Sequence, residues 1–246
     1  MRSSSRVIGI LSALAFLVVP APAIAAEAKT VIELFTSQGC NSCPPADRLL
    51  GELAADDRLI ALSLPVDYWD YLGWRDTLAL HSHTIRQKAY AETRGDRQVY
   101  TPQVVINGVA QTIGSDRYAI EGAITKAQAK NKLTVPVSLK LNATHIEIEI
   151  GAGAALGSVA SIWMIGVAQK TPVAITRGEN RGKTITYHNA VRSWQRIGQW
   201  KGKSVRTTVP IVEIAGAGAD AAVVFVQAGM VEGPGPIRGA AMLDLR

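Results

Sequence analysis

The chain has 246 residues, 48% of them hydrophobic and 19% charged, with only two cysteines and a formal net charge of +6 at pH 7. That length leaves room for two folded units, two cysteines are too few for a disulfide-scaffold fold, and the basic residues form no cluster interleaved with aromatics that would mark a nucleic-acid surface.

Residues 1–26 read as a secretory signal. Arg2 and Arg6 supply a basic start, residues 7–19 an apolar run too short to span a bilayer, and Ala23-Ile24-Ala25 a small-residue cleavage site. Cleavage removes two arginines and no acids and leaves about 220 residues, expected in the periplasm or secreted. No later stretch is long and apolar enough for a transmembrane helix, so no membrane contact is expected after cleavage. In an oxidising compartment the two cysteines are expected to pair.

Residues 30–35 are predicted to form a buried strand. Gly39-Cys40-Asn41-Ser42-Cys43-Pro44-Pro45 follows and holds both cysteines, and residues 46–55 read as a helix with Leu49, Leu50 and Leu53 on one side. Proline is tolerated in a first helical turn, so Pro44 and Pro45 support a helix start just before them. A C-x-x-C where a strand gives way to a helix is the local signature of a redox turn. Helix-end N–H groups without partners would stabilise a thiolate there, bringing its pKa from about 8.5 to roughly 3.5–7.5. Cys40 is expected to be the exposed nucleophile and Cys43 the partly buried resolving sulfur.

Residues 58–66 are predicted to be a second, central strand, completing a right-handed crossover that puts the cysteine turn at the carboxyl end of its strand. The loop that follows carries Tyr68, Trp69 and Trp74, placed either to line a groove beside the sulfurs or to cap the sheet. Residues 77–94 have helical periodicity through Leu78, Ile85, Ala89 and Glu92. Two short strands then flank Asn107-Gly108, a hairpin signal, with Thr101-Pro102 opening the first. Ser115 is expected to cap a helix running to about residue 131 with Ile120, Ala123, Ile124 and Ala127 inward. From residue 133 short β-branched segments separated by Gly, Asn and Pro suggest a β-sandwich; the loop 178–182 with Arg177, Glu179 and Arg181, followed by His188 and Asn189, is read either as packing against the first domain near the cysteines or, the favoured reading, as solvated.

The order β-α-β-α-β-β-α, the C-x-x-C at the first strand–helix junction and the Thr-Pro before the hairpin resemble the thioredoxin and glutaredoxin superfamily. The resemblance implies a cis Pro102 against the cysteines, Thr101 pairing with a substrate chain, and Glu33 as the nearest counterpart of a buried proton-relay acid. The longer motifs ELFTSQGCNSCPPAD, VDYWDYLGW, TPQVVING and RGENRGKTITYHNAVR look like a secreted bacterial family catalogued as domain of unknown function 1223, a likeness that supplies a fold and no substrate. The expected architecture is therefore a signal peptide (1–26), an α/β thioredoxin-like domain (27–132) and an all-β sandwich-like domain (133–246).

The chemistry expected is thiol–disulfide exchange with protein thiols or disulfides and an external redox partner, since there is no third cysteine, and no cofactor. One alternative is a copper or zinc module using the C-x-x-C. His81 and His83, two apart on a helix, point opposite ways and cannot join one ion, so no metal ligands are assigned. The other is a non-enzymatic envelope binding protein with a structural disulfide.

Overall fold

A computed structural model of the protein describes residues 30–130, 132–154, 159–230 and 233–246. The expected signal segment lies outside the described residues. Among them, no helix is long and apolar enough to cross a membrane.

The first half runs β1 (Thr30–Thr36), α1 (Pro44–Leu53), β2 (Leu59–Pro65), one 3-10 turn (Asp70–Leu72), α2 (His81–Arg94), β3 (Gln103–Ile106), β4 (Ala110–Ile113) and α3 (Arg117–Lys130). β1 and β2 are parallel; β3 runs antiparallel to β1 and β4 antiparallel to β3. The Asn107-Gly108 turn has φ of 47° and 71°, the left-handed pair that a tight hairpin needs.

Two helix starts differ from expectation, each because an aspartate caps the chain. The Asp76 carboxylate accepts from the N–H groups of Leu78 and Ala79, holding residues 77–80 as a turn before α2. Asp116, and not Ser115, accepts from the Ala119 amide ahead of α3. The inward face of α2 also differs: Ile85 is 46% exposed while His83, Gln87 and Tyr90 are buried. An apolar-periodicity argument cannot find a face that buries polar side chains in a network.

The second half adds β5 (Val137–Leu141), β6 (His145–Ile150), β7 (Ala160–Ala174), β8 (Thr184–Trp200), β9 (Val205–Pro210), a short helix α4 (Ile211–Ala215), β10 (Ala221–Gly229) and β11 (Pro234–Asp244). Several predicted short strands merge into the long β7–β8 hairpin. β5, β6 and β9 form a three-stranded antiparallel sheet whose inner face packs Ile146, Ile148 and Val209 against Ile162, Met164 and Val224 of a larger sheet.

That larger sheet is not separate from the first half. Its strands continue across β2 in the order β11-β10-β7-β8-β2-β1-β3-β4, with Ser63 of β2 opposite Ala190 of β8 in parallel. A boundary at 132/133 thus divides the elements along the chain but not the sheet. The sheet curls until Ile237 of β11 donates to the Asn107 carbonyl at 2.9 Å, so its two ends meet around α2. Val31, Phe35, Leu62 and Leu64 face α2 with Val223 and Phe225, whereas Ile32, Leu34 and Ala61 face α1 and α3.

Candidate active site

Cys40 and Cys43 are joined by a disulfide at the junction of β1 and α1, and Cys43 is the N-cap residue of α1. The turn is wound tightly: the Cys40 amide donates to the Ser37 carbonyl and the Cys43 amide to the Cys40 carbonyl. Two expectations about the sulfurs need correction. Cys40 is 1% and Cys43 0% exposed, so the outer cysteine is covered and not open. Nor does a cluster of free amides lie at the helix start. Pro44 and Pro45 have no N–H, and the amides of Ala46 and Asp47 already donate to the Cys43 carbonyl at 2.8 and 3.1 Å. What remains to favour a thiolate is the aligned peptide dipole of α1 and the Ser42 hydroxyl, 3.4 Å from the Cys40 sulfur. Ser42 is exposed, which marks Cys40 as the outer sulfur.

The cover comes from both halves of the chain. Asn180, 0% exposed in the loop between β7 and β8, donates from one Nδ2 to the carbonyls of Gln38 and Cys40, at 2.9 and 2.8 Å. The loop 178–182, expected to be solvated, therefore clamps the cysteine turn through Asn180. Gln38 is the hub beneath it. Its amide donates to Asp76 at 2.7 Å, and its side-chain oxygen accepts from the Trp74 indole at 2.8 Å and from the Thr77 amide at 3.2 Å.

The aromatic loop and the Thr101-Pro102 corner converge on the same edge. The Trp69 indole donates to the Thr101 hydroxyl at 2.8 Å, and a β-carbon placed on Gly39 would meet Trp69 Cβ at 3.1 Å, so Trp69 bridges the cysteine turn and Thr101. The Thr101–Pro102 peptide bond is cis. A β-carbon on Gly114 would touch Leu34, Pro102 and Ala46 together, which sets Pro102 beside the first turn of α1. Tyr68 is turned aside to Gln87 at 3.2 Å. Three of the four residues expected to bind substrate, Thr101, Trp69 and Trp74, thus frame the cysteine turn.

Glu33 does not. It points to the other face of the sheet, where it accepts from Arg86 Nε and from the Tyr90 hydroxyl, both at 2.6 Å, with its side chain wholly buried. Strand alternation explains this: Glu33 shares a face with Val31 and Phe35, and α1 lies on the opposite one.

The acid on the cysteine side is Asp47, one helical turn beyond Cys43 and on the same face of α1. It is 2% exposed; Oδ1 accepts from the Thr36 hydroxyl at 2.8 Å and Oδ2 has no partner among the described residues. The hydroxyls of Ser63 and Tyr187 are likewise buried without partners. Burial pushes the Asp47 carboxyl up to about 8, against the Thr36 hydrogen bond, and the charge of Asp76 adds to the rise. Burial also lifts Asp76, to about 6, against its bonds from the Gln38, Leu78 and Ala79 amides. Sequence periodicity carried a signal for Asp47, an acid set between Cys43 and Leu50 on the inward face of a short helix; Asn180 left none.

The raised Asp47 value has a measurable consequence. The folded protein keeps a proton on Asp47 up to about pH 8 that the unfolded chain releases near 3.8, so across that interval stability falls as pH rises. Asp47→Asn is expected to match wild type near about pH 4 and to become progressively more stable than it up to about pH 8 in urea titrations at fixed pH values.

His81 and His83 diverge, the first 72% exposed at its side chain and bound to Asp67, the second buried with Nδ1 on the Pro65 carbonyl. Among the described residues no three His, Cys, Asp or Glu side chains group as a metal site.

Comparison with known sequences places this arrangement. The family described as "Protein of unknown function (DUF1223)" matches residues 31–227, from β1 into β10. The chain belongs to this family. The match takes in the cysteine turn, the aromatic loop and the Asn180 loop together. The chain is also similar to an X-ray crystal structure of a protein from Agrobacterium tumefaciens, solved as a structural-genomics target, with 34% identity over 90% of this chain and 96% of that one and a TM-score of 0.79. No curated protein matches it.

Proposed function

We propose that this DUF1223 protein is an exported thiol–disulfide oxidoreductase built on a thioredoxin-like unit, acting on protein thiols or disulfides of the cell envelope with a separate redox partner. The observation that carries this reading is the meeting of the Cys40–Cys43 pair, Trp69 and the Thr101–Pro102 corner at the carboxyl edge of β1. The strand order β2-β1-β3-β4, with β1 parallel to β2 and antiparallel to β3, supports the thioredoxin-like part.

In the oxidised protein a substrate thiolate attacks the Cys40 sulfur, the Cys40–Cys43 bond breaks, and Cys43 leaves as a thiolate. Asp47, protonated at neutral pH and one turn away, is the internal proton donor for that thiolate. A second substrate thiolate then attacks the substrate sulfur of the mixed disulfide, its bond to Cys40 breaks, and the substrate leaves oxidised while the protein keeps a Cys40 thiolate and a Cys43 thiol. Two electrons pass to the protein, and the reverse sequence returns them. Thr101 and Trp69 flank the approach.

A second reading, a structural staple, is favoured by the burial of both sulfurs. Against it, a ring spanning a sequence separation of three removes little entropy from the unfolded chain. Turnover separates the two: the mature protein is expected to catalyse reduction or oxidation of a protein disulfide, and Cys40→Ser to abolish it. Absence of turnover in both directions, with the fold intact, would favour the staple.

A further inference from the structure

The segments that hold the cysteine turn carry exposed arginines alongside the carboxylates Asp70, Asp76 and Glu179. Arg75 lies between Trp74 and Asp76, both of which bond to Gln38, two residues before Cys40. A β-carbon on Gly178 would meet Trp74 Cβ at 3.2 Å, so the loop that carries Arg177 packs on the residue before Arg75. Arg181 follows Asn180, whose amide holds the Cys40 carbonyl. All three arginines are exposed, and among the described residues none makes an ion pair. Lys183 Nζ donates to the Asn180 side-chain oxygen Oδ1, and Glu179 is the single carboxylate of the loop.

The rim thus draws on two chain segments distant in sequence, and the loop whose Asn180 holds the Cys40 carbonyl is itself cationic. The geometry points to a partner class: Arg75, Arg177 and Arg181 select anionic thiols, that is, a cysteine flanked by carboxylates in an acidic segment, over neutral or cationic ones. This rests on the redox reading of the cysteine pair. An anion reaching the rim gains attraction without displacing an existing ion pair, and its sulfur arrives beside the loop that must move. Such steering changes association rates by factors of about 10 to 1,000 at low ionic strength and fades as salt screens it.

The test uses the full mature protein in its disulfide form and two small thiols, the dianion mercaptosuccinate and the cation cysteamine. Each rate is divided by the same thiol's rate with hydroxyethyl disulfide, which removes differences in intrinsic thiolate reactivity. Reduction is followed by maleimide trapping and intact mass. At an ionic strength of about 0.02 M mercaptosuccinate is expected to be favoured by about tenfold, the preference shrinking towards parity at about 0.5 M. Arg177→Glu/Arg181→Glu, both surface changes, is expected to erase or invert it. Equal normalised rates in wild type, or a preference unchanged in the double variant, would overturn the inference while leaving the redox reading standing. If neither thiol reduces the folded protein, the redox reading fails and the inference with it.

Discussion

Asn180→Ala is expected to speed reduction of the Cys40–Cys43 disulfide and to lower stability at once. The substitution strips the buried Gln38 carbonyl of its Asn180 donor and leaves the Cys40 carbonyl with the Cys43 amide alone. A buried acceptor left without a partner costs about 1–3 kcal/mol. For a protein of this size the melting temperature drops by roughly 2–4 °C per kcal/mol. Because both sulfurs are buried, reagent reaches them only when the loop opens, so each 1.4 kcal/mol taken from the closed state raises the reduction rate about tenfold. Asn180→Leu separates packing from donation: it nearly keeps the volume, removes the donor without adding a buried charge, and should resemble the alanine variant. An unchanged reduction rate with lowered stability would mean that the loop braces the fold without gating the sulfurs.

Arg86→Leu is expected to be among the most damaging single substitutions in the chain, with no effect on cysteine chemistry. Arg86 binds Glu33 and the Tyr90 hydroxyl at 2.6 Å and Gln227 at 3.1 Å, and its guanidinium lies 4.1 Å from the Trp194 ring centre. It thereby ties α2 to β1, β8 and β10. Removing it strands the Glu33 carboxylate in a site with no solvent access, and breaking a buried pair this way costs about 3–5 kcal/mol. Glu33→Leu/Arg86→Leu, which removes both charges, should recover most of that loss in equilibrium urea unfolding. Disulfide reduction rates should stay at the wild-type value in both variants, because Glu33 faces away from α1. A shift in cysteine reactivity with Glu33→Leu would return Glu33 to the proton-relay role that its position on the sheet denies it.

Much of the first half was legible because its signals are local. The Asn107-Gly108 turn, the paired prolines after Cys43 and the apolar runs of β1 and β2 each report on a few neighbouring residues, and the element order through α3 follows from them. Long-range polar contacts were not legible. The inward face of α2 carries His83, Gln87 and Tyr90 because His83 meets the Pro65 carbonyl of β2, Gln87 the Tyr100 carbonyl and Gln103 of β3, and Tyr90 both Glu33 of β1 and Gln227 of β10, and no periodicity in α2 alone reveals those partners. The same holds for Asn180, separated by 140 residues from the carbonyl it caps at Cys40. The fusion of the two sheets hangs on Ser63 opposite Ala190, a registration between strands far apart in sequence. Even the cysteine turn was read only in part. Its position was plain, but the two prolines that signal the helix start also delete the amides expected to hold a thiolate.

The most direct measurement is the alkylation rate of each cysteine in the reduced, folded protein as a function of pH, resolved by peptide mass. The account predicts that Cys40 reacts with an apparent pKa below about 8.5 and at least about tenfold faster than Cys43. Labelling of the two cysteines at equal rates, appearing only as fast as the whole chain unfolds, would contradict it.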